Sequence, residues 1–186
     1  MKLLRYGTKG HEKPGILDKN GKMRSLAVVL HDIDGSTSTI AAVHSVPAES
    51  LPLVGADVRL GQPIAKIGKF ICIGLNYSHH AAEAGMSVPA EPVLFMKATS
   101  AITGPNDDVY LPPASKTSDW EVELGIVIGK EARYLEKVNA LDYVAGACVV
   151  NGLSEREYQL ERLGQWDKGK GKREKVAIHS DRSGPI

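Results

Sequence analysis

The sequence predicts an α+β fold, and three observations carry that prediction. Segments with the composition of β-strands outnumber segments with helical periodicity. The turns between them are mostly short and of the hairpin type, which favours strands grouped together over strands alternating with helices. Hydrophobic residues make up 42% of the 186 residues, which is enough for the core of one domain, or of one domain with a small appendage.

Residues 1–65 are predicted to form a small β-rich module. Two short apolar segments, Gly15–Leu17 and Lys22–Leu26, flank the sequence Asp18-Lys19-Asn20-Gly21. Because Asn-Gly readily adopts positive φ, this pattern predicts a β-hairpin.

Residues 66–171 are predicted to form a second unit that begins with the buried strand Phe70–Ile73. A short helix is expected at about Ser78–Ala84, with Gly85 as its C-cap. Ser154 and Glu157 have the spacing of a capping box, which predicts another helix over Glu155–Leu163. Further strands are predicted at Pro92–Lys97, Asp119–Gly129 and Tyr143–Val150.

The strand that begins at Asp119 carries an unusual row of carboxylates. Since side chains alternate along a strand, Asp119, Glu121 and Glu123 project from one face. Like charges so close together repel each other unless a cation lies among them, and Mg²⁺ prefers such oxygen ligands. The alternative is a solvated strand face beside a buried one, and the stretch alone slightly favours that simpler interpretation.

Two polar pairs have the i, i+3 spacing that places side chains on one face of a helix. His80 and Glu83 follow a buried strand and its turn, so the pair could activate a water as a general base. Arg156 and Gln159 could grip a substrate carboxylate, with the arginine making a bidentate contact. In each case the alternative is an ordinary solvated helix face.

Two lysines, Lys97 and Lys170, are candidate contacts for a substrate anion or oxyanion. Either one alone would usually be a surface lysine.

Composition excludes several classes of function. The net charge is +1, and no basic stripe precedes residue 168, so no nucleic-acid partner is expected. No apolar run reaches the length of a membrane span, and the first residues lack the apolar core of a signal peptide, so a cytoplasmic protein without membrane contact is expected. Cys72 and Cys148 lie in apolar runs and are interpreted as buried thiols.

Taken in order, several motifs resemble those of the fumarylacetoacetate hydrolase family. They are Gly74-Leu75-Asn76-Tyr77-Ser78-His79-His80-Ala81-Ala82-Glu83, Asp119-Trp120-Glu121-Val122-Glu123-Leu124, Val149-Val150-Asn151, Ser154-Glu155-Arg156-Glu157-Tyr158-Gln159 and Gln165-Trp166-Asp167-Lys168-Gly169-Lys170-Gly171. The match covers about residues 1–171. The N-terminal module resembles the branch that contains ureidoglycolate lyase and 2,4-diketo-3-deoxy-fuconate hydrolase.

The resemblance implies a mixed β-roll domain, a homodimer and a divalent metal, Mg²⁺ or Mn²⁺. The implied reaction is cleavage of a carbon–carbon bond in a small diketo acid, with ureidoglycolate-type lysis as the variant of this branch. If the roles of the family's residues apply at the matching positions of this chain, Glu121 and Glu123 are metal ligands. His80 with Glu83 is then the group that activates the attacking water. Arg156, Gln159 and Lys170 are expected to hold the substrate and its developing enolate, and Lys97 is kept as a further substrate contact.

The chain departs from the family pattern at residue 152. The pattern there is Asn-Asp, whose aspartate is a third metal ligand, but this chain has Asn151-Gly152. Gly152 has no side chain, so weakened metal binding is expected, and Asn151 or Asp119 could partly substitute.

The second departure is the tail. Residues 172–186 do not match the family, are rich in charge and lack periodicity, so they are predicted to be disordered. Members of this branch continue from Gly-Lys-Gly into Cys-Asp-Thr-Phe-Gly-Pro-Ile-Gly-Pro, and codons can be chosen for Val176 to Pro185 that encode these residues one reading frame over. This suggests a frameshift near Lys172 and a β-roll that is incomplete at the C terminus.

The alternatives to an enzyme are an inactive truncated paralogue and a remnant that binds small acids.

Overall fold

The computed structural model describes residues 1–162 and 176–179, which contain both helices and strands. The α-helices are Thr37–His44 (α1) and Ser78–Glu83 (α2), with a π-helical segment at Glu157–Glu161. Short 3₁₀ segments lie at Ala48–Ser50, Thr99–Ala101 and Lys137–Tyr143. The strands are Lys2–Tyr6 (β1), Lys13–Leu17 (β2), Met23–Ser25 (β3), Phe70–Gly74 (β4), Val93–Lys97 (β5), Ile102–Thr103 (β6), Ser118–Asp119 (β7), Val122–Ile128 (β8), Val144–Gly152 (β9), Ser154–Glu155 (β10) and Val176–His179 (β11).

The N-terminal part is a three-stranded antiparallel sheet in the order β1-β2-β3. The predicted hairpin between β2 and β3 is confirmed, with Gly21 at φ +74°. The Asp18 carboxylate closes the turn, because its Oδ1 accepts from the backbone N–H groups of Asn20 and Lys22, both at 2.9 Å. A buried cluster under this sheet includes Ile16, Leu26, Val43 and Leu51.

Three further sheets make up the rest of the described chain. Strands β4 and β5 form an antiparallel pair, and β7 pairs with β10. The largest sheet has the order β6-β11-β9-β8, in which β8 and β9 pair antiparallel from Val122↔Asn151 to Ile128↔Val144. This architecture confirms the α+β class. The division at residues 65 and 66 remains a prediction.

The acidic segment after residue 117 is two strands and not the single strand predicted from its alternation. Ser118–Asp119 pairs with β10, whereas Val122–Ile128 pairs with β9, so the chain leaves one sheet and enters another at Trp120 and Glu121. The alternation of side chains nevertheless continues across the break.

The predicted helix over Glu155–Leu163 is wrong at its start. Ser154–Glu155 is strand β10, and helical structure begins only after it, at Arg156 and the π-helical segment. The capping box does not form because the Ser154 hydroxyl donates to the carboxylate of Glu121 instead.

The expectation of a disordered tail is wrong for Val176–His179. These residues form β11, which pairs antiparallel with β9 and parallel with β6. The remainder of residues 172–186 lies outside the described residues.

A network of ion pairs joins the N-terminal part to the segment after β6. Arg59 donates from Nε and Nη2 to the two oxygens of Asp107, each at 2.7 Å, and from Nη1 to Glu12 Oε1 at 2.9 Å. Asp107 also accepts from the Thr103 hydroxyl and the Gly104 N–H. These contacts hold together residues that are far apart in the sequence.

Among residues 1–162 and 176–179, no helix is both long enough and apolar enough to cross a membrane.

Candidate active site

A cleft of about 1500 Å³ opens between the β4–β5 pair and strand β8. Helix α2 and the segment around Arg156 also contribute residues to its lining. The cleft brings together most of the residues that the sequence singled out, namely His80, Glu83, Glu121, Glu123, Arg156 and Gln159. These residues come from separate elements, so the fold and not their spacing assembles them.

The carboxylate face of the acidic segment is its more buried face. Glu121 and Glu123 are half-buried, whereas Trp120, Val122 and Leu124 are 68%, 70% and 53% exposed. A solvated strand face would have the opposite distribution. The simpler alternative for this segment is therefore wrong, and the partners of the carboxylates explain why.

Glu121 is held by two groups that follow strand β9. Its Oε1 accepts a hydrogen bond from the Ser154 hydroxyl at 2.5 Å and lies 3.2 Å from Nη2 of Arg156. The backbone fixes the same region, because the N–H of Gly152 donates to the carbonyl of Glu121 at 2.7 Å. A positive charge and a hydroxyl donor both stabilise the ionised carboxylate.

The carboxylate of Glu123 lies directly over Gly152. A Cβ atom built on Gly152 would be 2.6 Å from Oε1 of Glu123 and 2.8 Å from its Cδ. Real Cβ atoms do not approach so closely, so a side chain at position 152 would make the flexible end of Glu123 shift slightly while it stays next to position 152. A carboxylate at position 152 would therefore adjoin Glu123, as the family pattern requires of a third ligand.

Of the two substitutes considered for that third ligand, Asn151 does not fit. Asn151 pairs with Val122 across β8 and β9, which puts its side chain on the opposite face from Glu121 and Glu123. Its Oδ1 is buried and accepts no hydrogen bond from the described residues. Asp119 lines the same cleft, and its Oδ2 accepts from Nε and Nη2 of Arg156, the guanidinium that also lies beside Glu121.

Arg156 is the centre of the polar contacts at this end of the cleft. It donates from Nε and Nη2 to Oδ2 of Asp119, at 3.0 and 2.7 Å, and from Nη1 to Oε1 of Gln159 at 2.8 Å. The prediction that Arg156 and Gln159 face the same side is confirmed. Sequence spacing gave no indication of the contact with Asp119, since the two residues are far apart along the chain.

Helix α2 brings His80 and Glu83 to the lining of the cleft. It ends one residue earlier than predicted, with Ala84 as the C-cap, and Gly85 follows it at φ +65°. Hydrogen bonds from Gly85 N to Ala82 O and from Met86 N to Ala81 O close this end of the helix. Both side chains are exposed to the cleft, and no hydrogen bond joins them within the described part of the chain. His79, interpreted from the sequence as ordinary surface, also lines the cleft.

The turn that precedes α2 holds a strained residue. Leu75 has φ +51°, a conformation that residues with a Cβ rarely adopt, and it lies in the cleft wall. Such conformations cost about 1–3 kcal/mol and cluster at functional sites. No local pattern predicts this conformation, because turns with positive φ favour Gly and Asn over Leu.

Of the two candidate lysines, only Lys97 lies within the described residues. Lys97 is 2% exposed, so its interpretation as a surface lysine is wrong. Its Nζ donates to the carbonyl of Leu153 at 2.9 Å, which places the ammonium behind the segment from Gly152 to Ser154 and outside the lining of the cleft. Lys170 lies outside the described residues.

Two carboxylates of the cleft, those of Glu121 and Glu123, are candidate ligands for a metal ion. In the described part of the chain, no group of three or more His, Cys, Asp or Glu side chains is arranged to hold one. Glu121 and Glu123 share one face of the cleft, and Mg²⁺ is usually bound through one or two carboxylates while it keeps several waters. The residues therefore fit a hard divalent ion. The half-buried thiol of Cys148 does not add to the site, because burial raises its pKa.

The sequence profile described as fumarylacetoacetate (FAA) hydrolase C-terminal matches residues 69–178. The chain therefore belongs to the fumarylacetoacetate hydrolase family, and the resemblance seen in the motifs is confirmed. A Burkholderia ambifaria protein, whose name proposes only a hydrolase, is 55% identical over 174 residues. The alignment covers 92% of this chain and 62% of that relative, so the chain spans less than two thirds of its length.

Solved structures show the same fold. The fumarylacetoacetate hydrolase from Exiguobacterium antarcticum matches with a TM-score of 0.75 and 28% identity, over 96% of this chain and 66% of that one. The 5-carboxymethyl-2-hydroxymuconate delta-isomerase from Mycobacterium smegmatis matches with a TM-score of 0.69 and 28% identity, over 97% of this chain and 64% of that one.

Proposed function

We propose that the cleft is the active site of a metal-dependent enzyme that cleaves a carbon–carbon bond in a small diketo acid of the acylpyruvate or keto-deoxy sugar type. One observation carries this proposal. Glu121 and Glu123 belong to the lining of the same cleft as His80, Glu83 and Arg156. Family membership supports the coarser part of the proposal, an enzyme that processes a small acid, since the named neighbours include a hydrolase and an isomerase.

Glu121 and Glu123 would hold Mg²⁺ or Mn²⁺, with waters in place of the ligand that Gly152 lacks. When bound, the ion supplies Lewis-acid stabilisation for the negative charge on the keto-acid oxygens. Arg156 and Gln159 bind the acid end of the substrate. Because Arg156 also contacts Asp119 and Glu121, its guanidinium is held in place before the substrate arrives.

His80 acts as the general base in this scheme, with Glu83 beside it on α2. His80 takes a proton from a water as the water oxygen attacks the distal keto carbonyl. The carbon–carbon bond next to that carbonyl then breaks, its electron pair forms the enolate of the departing keto acid, and a proton returns to the enolate carbon. The products are a carboxylic acid and a keto acid. Lys97 is buried behind the cleft and would support this wall without touching the substrate.

The test is release of pyruvate from a panel of short acylpyruvates by the purified chain, with Mg²⁺ and with EDTA. The proposal predicts turnover that EDTA abolishes and that His80→Asn lowers by roughly 100-fold, in the usual range for a general base. His44→Asn is the matched control, because His44 is the last residue of α1 and does not line the cleft. Turnover that survives EDTA and His80→Asn would overturn the proposal.

A second candidate function is small-acid binding without turnover, and Gly152 favours it. The contacts of Arg156 and Gln159 do not depend on a metal ion. Saturable binding of pyruvate or oxalate by calorimetry, with no turnover of acylpyruvates or of ureidoglycolate, would select this candidate.

A further inference from the structure

Glu155 is the most buried carboxylate near the cleft, yet it does not line it. It is 1% exposed, and its side chain points away from the cleft, between β10 and the segment that leads into β7. A buried charge is costly unless hydrogen bonds compensate it. The partners of Glu155 are therefore informative about its role.

Three hydroxyl groups surround the carboxylate. Ser118 Oγ donates to Oε2 at 2.7 Å, Ser115 Oγ also donates to Oε2, and Thr117 Oγ1 donates to Oε1. Burial alone raises the pKa of Glu155, but these hydroxyl donors outweigh it and hold the pKa below its ordinary value. At neutral pH the carboxylate is ionised, and every contact is a charge-assisted hydrogen bond.

The same segment is tied by its backbone. Glu155 pairs with Ser118 and Ser154 with Asp119 in the β7–β10 ladder. The N–H of Arg156 donates to the Thr117 carbonyl at 3.0 Å, and the N–H of Glu157 donates to Thr117 Oγ1 at 3.0 Å. The carboxylate thus draws two chain segments together from the side that faces away from the cleft.

The neighbours of Glu155 in the sequence are the residues that hold the cleft carboxylates. Ser154 donates to Glu121, and Arg156 donates to Asp119 and lies beside Glu121. Ser154 and Glu155 are adjacent in β10, so their side chains lie on opposite sides of the strand, and Arg156 begins the helical segment that follows directly. Fixing Glu155 therefore fixes the strand residue before Arg156 and the point at which the helical segment starts.

We propose that Glu155 is a positioning residue whose three hydroxyl contacts set the guanidinium of Arg156 against Asp119 and Glu121. Its role in catalysis rests on the function proposed above, whereas its control of Arg156 does not. It acts as a hydrogen-bond acceptor more than as a charge, because each hydroxyl can turn to meet an amide group instead.

The experiment compares Glu155→Ala, Glu155→Gln and Glu157→Gln in the full chain. The spectroscopic readout is the Nε–H resonance of Arg156 in ¹⁵N NMR spectra, assigned with Arg156→Lys, and its exchange with solvent. Glu155→Ala is expected to speed this exchange at least tenfold, and Glu155→Gln to restore most of the protection. Glu157→Gln is the matched control, because it removes a carboxylate two residues away that pairs with the partly exposed Arg162.

Kinetics provide the second readout. In an active chain, Glu155→Ala should lower kcat/KM by roughly 10- to 100-fold, mainly through KM, because misplacing Arg156 weakens binding of the acid. If Glu155→Ala does not fold, Ser118→Ala removes one donor from the exposed side and should show a smaller loss of Nε–H protection. Unchanged protection in a folded Glu155→Ala or Ser118→Ala variant overturns the proposal. Loss of protection in a chain that turns over no acylpyruvate supports the positioning role and refutes only the proposed function.

Discussion

Replacing Asp107 with Asn tests whether the ion network between the N-terminal part and the β6 region stabilises the fold. The Asp107 carboxylate accepts from Nε and Nη2 of Arg59 at 2.7 Å and from Thr103 Oγ1 and Gly104 N at 2.6 and 3.0 Å, and its side chain is 13% exposed. Removing one partner of a buried pair costs about 3–5 kcal/mol. The cost should be smaller here, because Arg59 is 27% exposed and keeps Glu12 as a partner.

We therefore expect Asp107→Asn to lower the free energy of unfolding by about 2–3 kcal/mol, which corresponds to a fall in Tm of roughly 4–12 °C for a chain of this size. The assay is thermal and urea unfolding followed by circular dichroism at pH 7. Glu131→Gln is the matched control, since the Glu131–Arg133 pair is 77% and 79% exposed and should contribute less than about 1 kcal/mol.

The pH dependence provides a second check on the same variant. The Arg59 guanidinium holds the pKa of Asp107 well below its ordinary value. A lowered pKa in the folded state means that the stabilisation is fully present above the unfolded value of about 3.9 and is lost as pH falls through the folded value. The difference between the parent chain and Asp107→Asn should thus be constant from pH 5 to 7 and shrink below about pH 4. Equal losses in Asp107→Asn and Glu131→Gln, or a difference that grows at low pH, would refute the reasoning.

Three further outcomes are expected from single substitutions. Gly152→Asp should tighten Mn²⁺ binding, measured by electron paramagnetic resonance, by at least about tenfold, because it adds a carboxylate beside Glu123, and unchanged affinity would contradict the geometry. Gly104→Ala should lower Tm by roughly 4–12 °C in a thermal scan, since its Cβ would lie 2.3 Å from the carbonyl oxygen of Leu60, and an unchanged Tm would show that this close approach is not required. Leu75→Gly should raise the free energy of unfolding by up to about 1 kcal/mol in urea titrations, because it relieves the strain at φ +51°, and destabilisation would show that the lost Leu packing outweighs the strain.

The local elements were predictable from the sequence because they depend on nearby residues. The hairpin at Asn20-Gly21 and the end of α2 near Gly85 both follow from positive φ at a glycine. Family membership was predictable from ordered motifs. Nothing local, however, distinguishes Ser154 as a helix cap from Ser154 as a donor to Glu121, because the choice depends on a segment that lies 33 residues earlier in the chain.

The parts of the site that the sequence missed are long-range contacts. Arg156 donates two hydrogen bonds to Asp119, and Glu155 accepts hydrogen bonds from hydroxyl groups. In both cases the partners are 37 or more positions apart in the sequence. The burial of Lys97 was missed for the same reason, since its only local signal is a place at the end of an apolar strand. Period-two alternation correctly put Glu121 and Glu123 on one face, but it did not show that this face is the inner one.

The most direct test of the central claim is a titration of the full chain with Mn²⁺, followed by electron paramagnetic resonance. The claim is that Glu121 and Glu123 form the metal-binding wall of the cleft. It predicts saturable binding that is lost in Glu121→Gln and Glu123→Gln and kept in Glu131→Gln, whose carboxylate lies at the surface. Binding that persists when both cleft carboxylates are replaced, or a parent chain that binds no Mn²⁺, would contradict it.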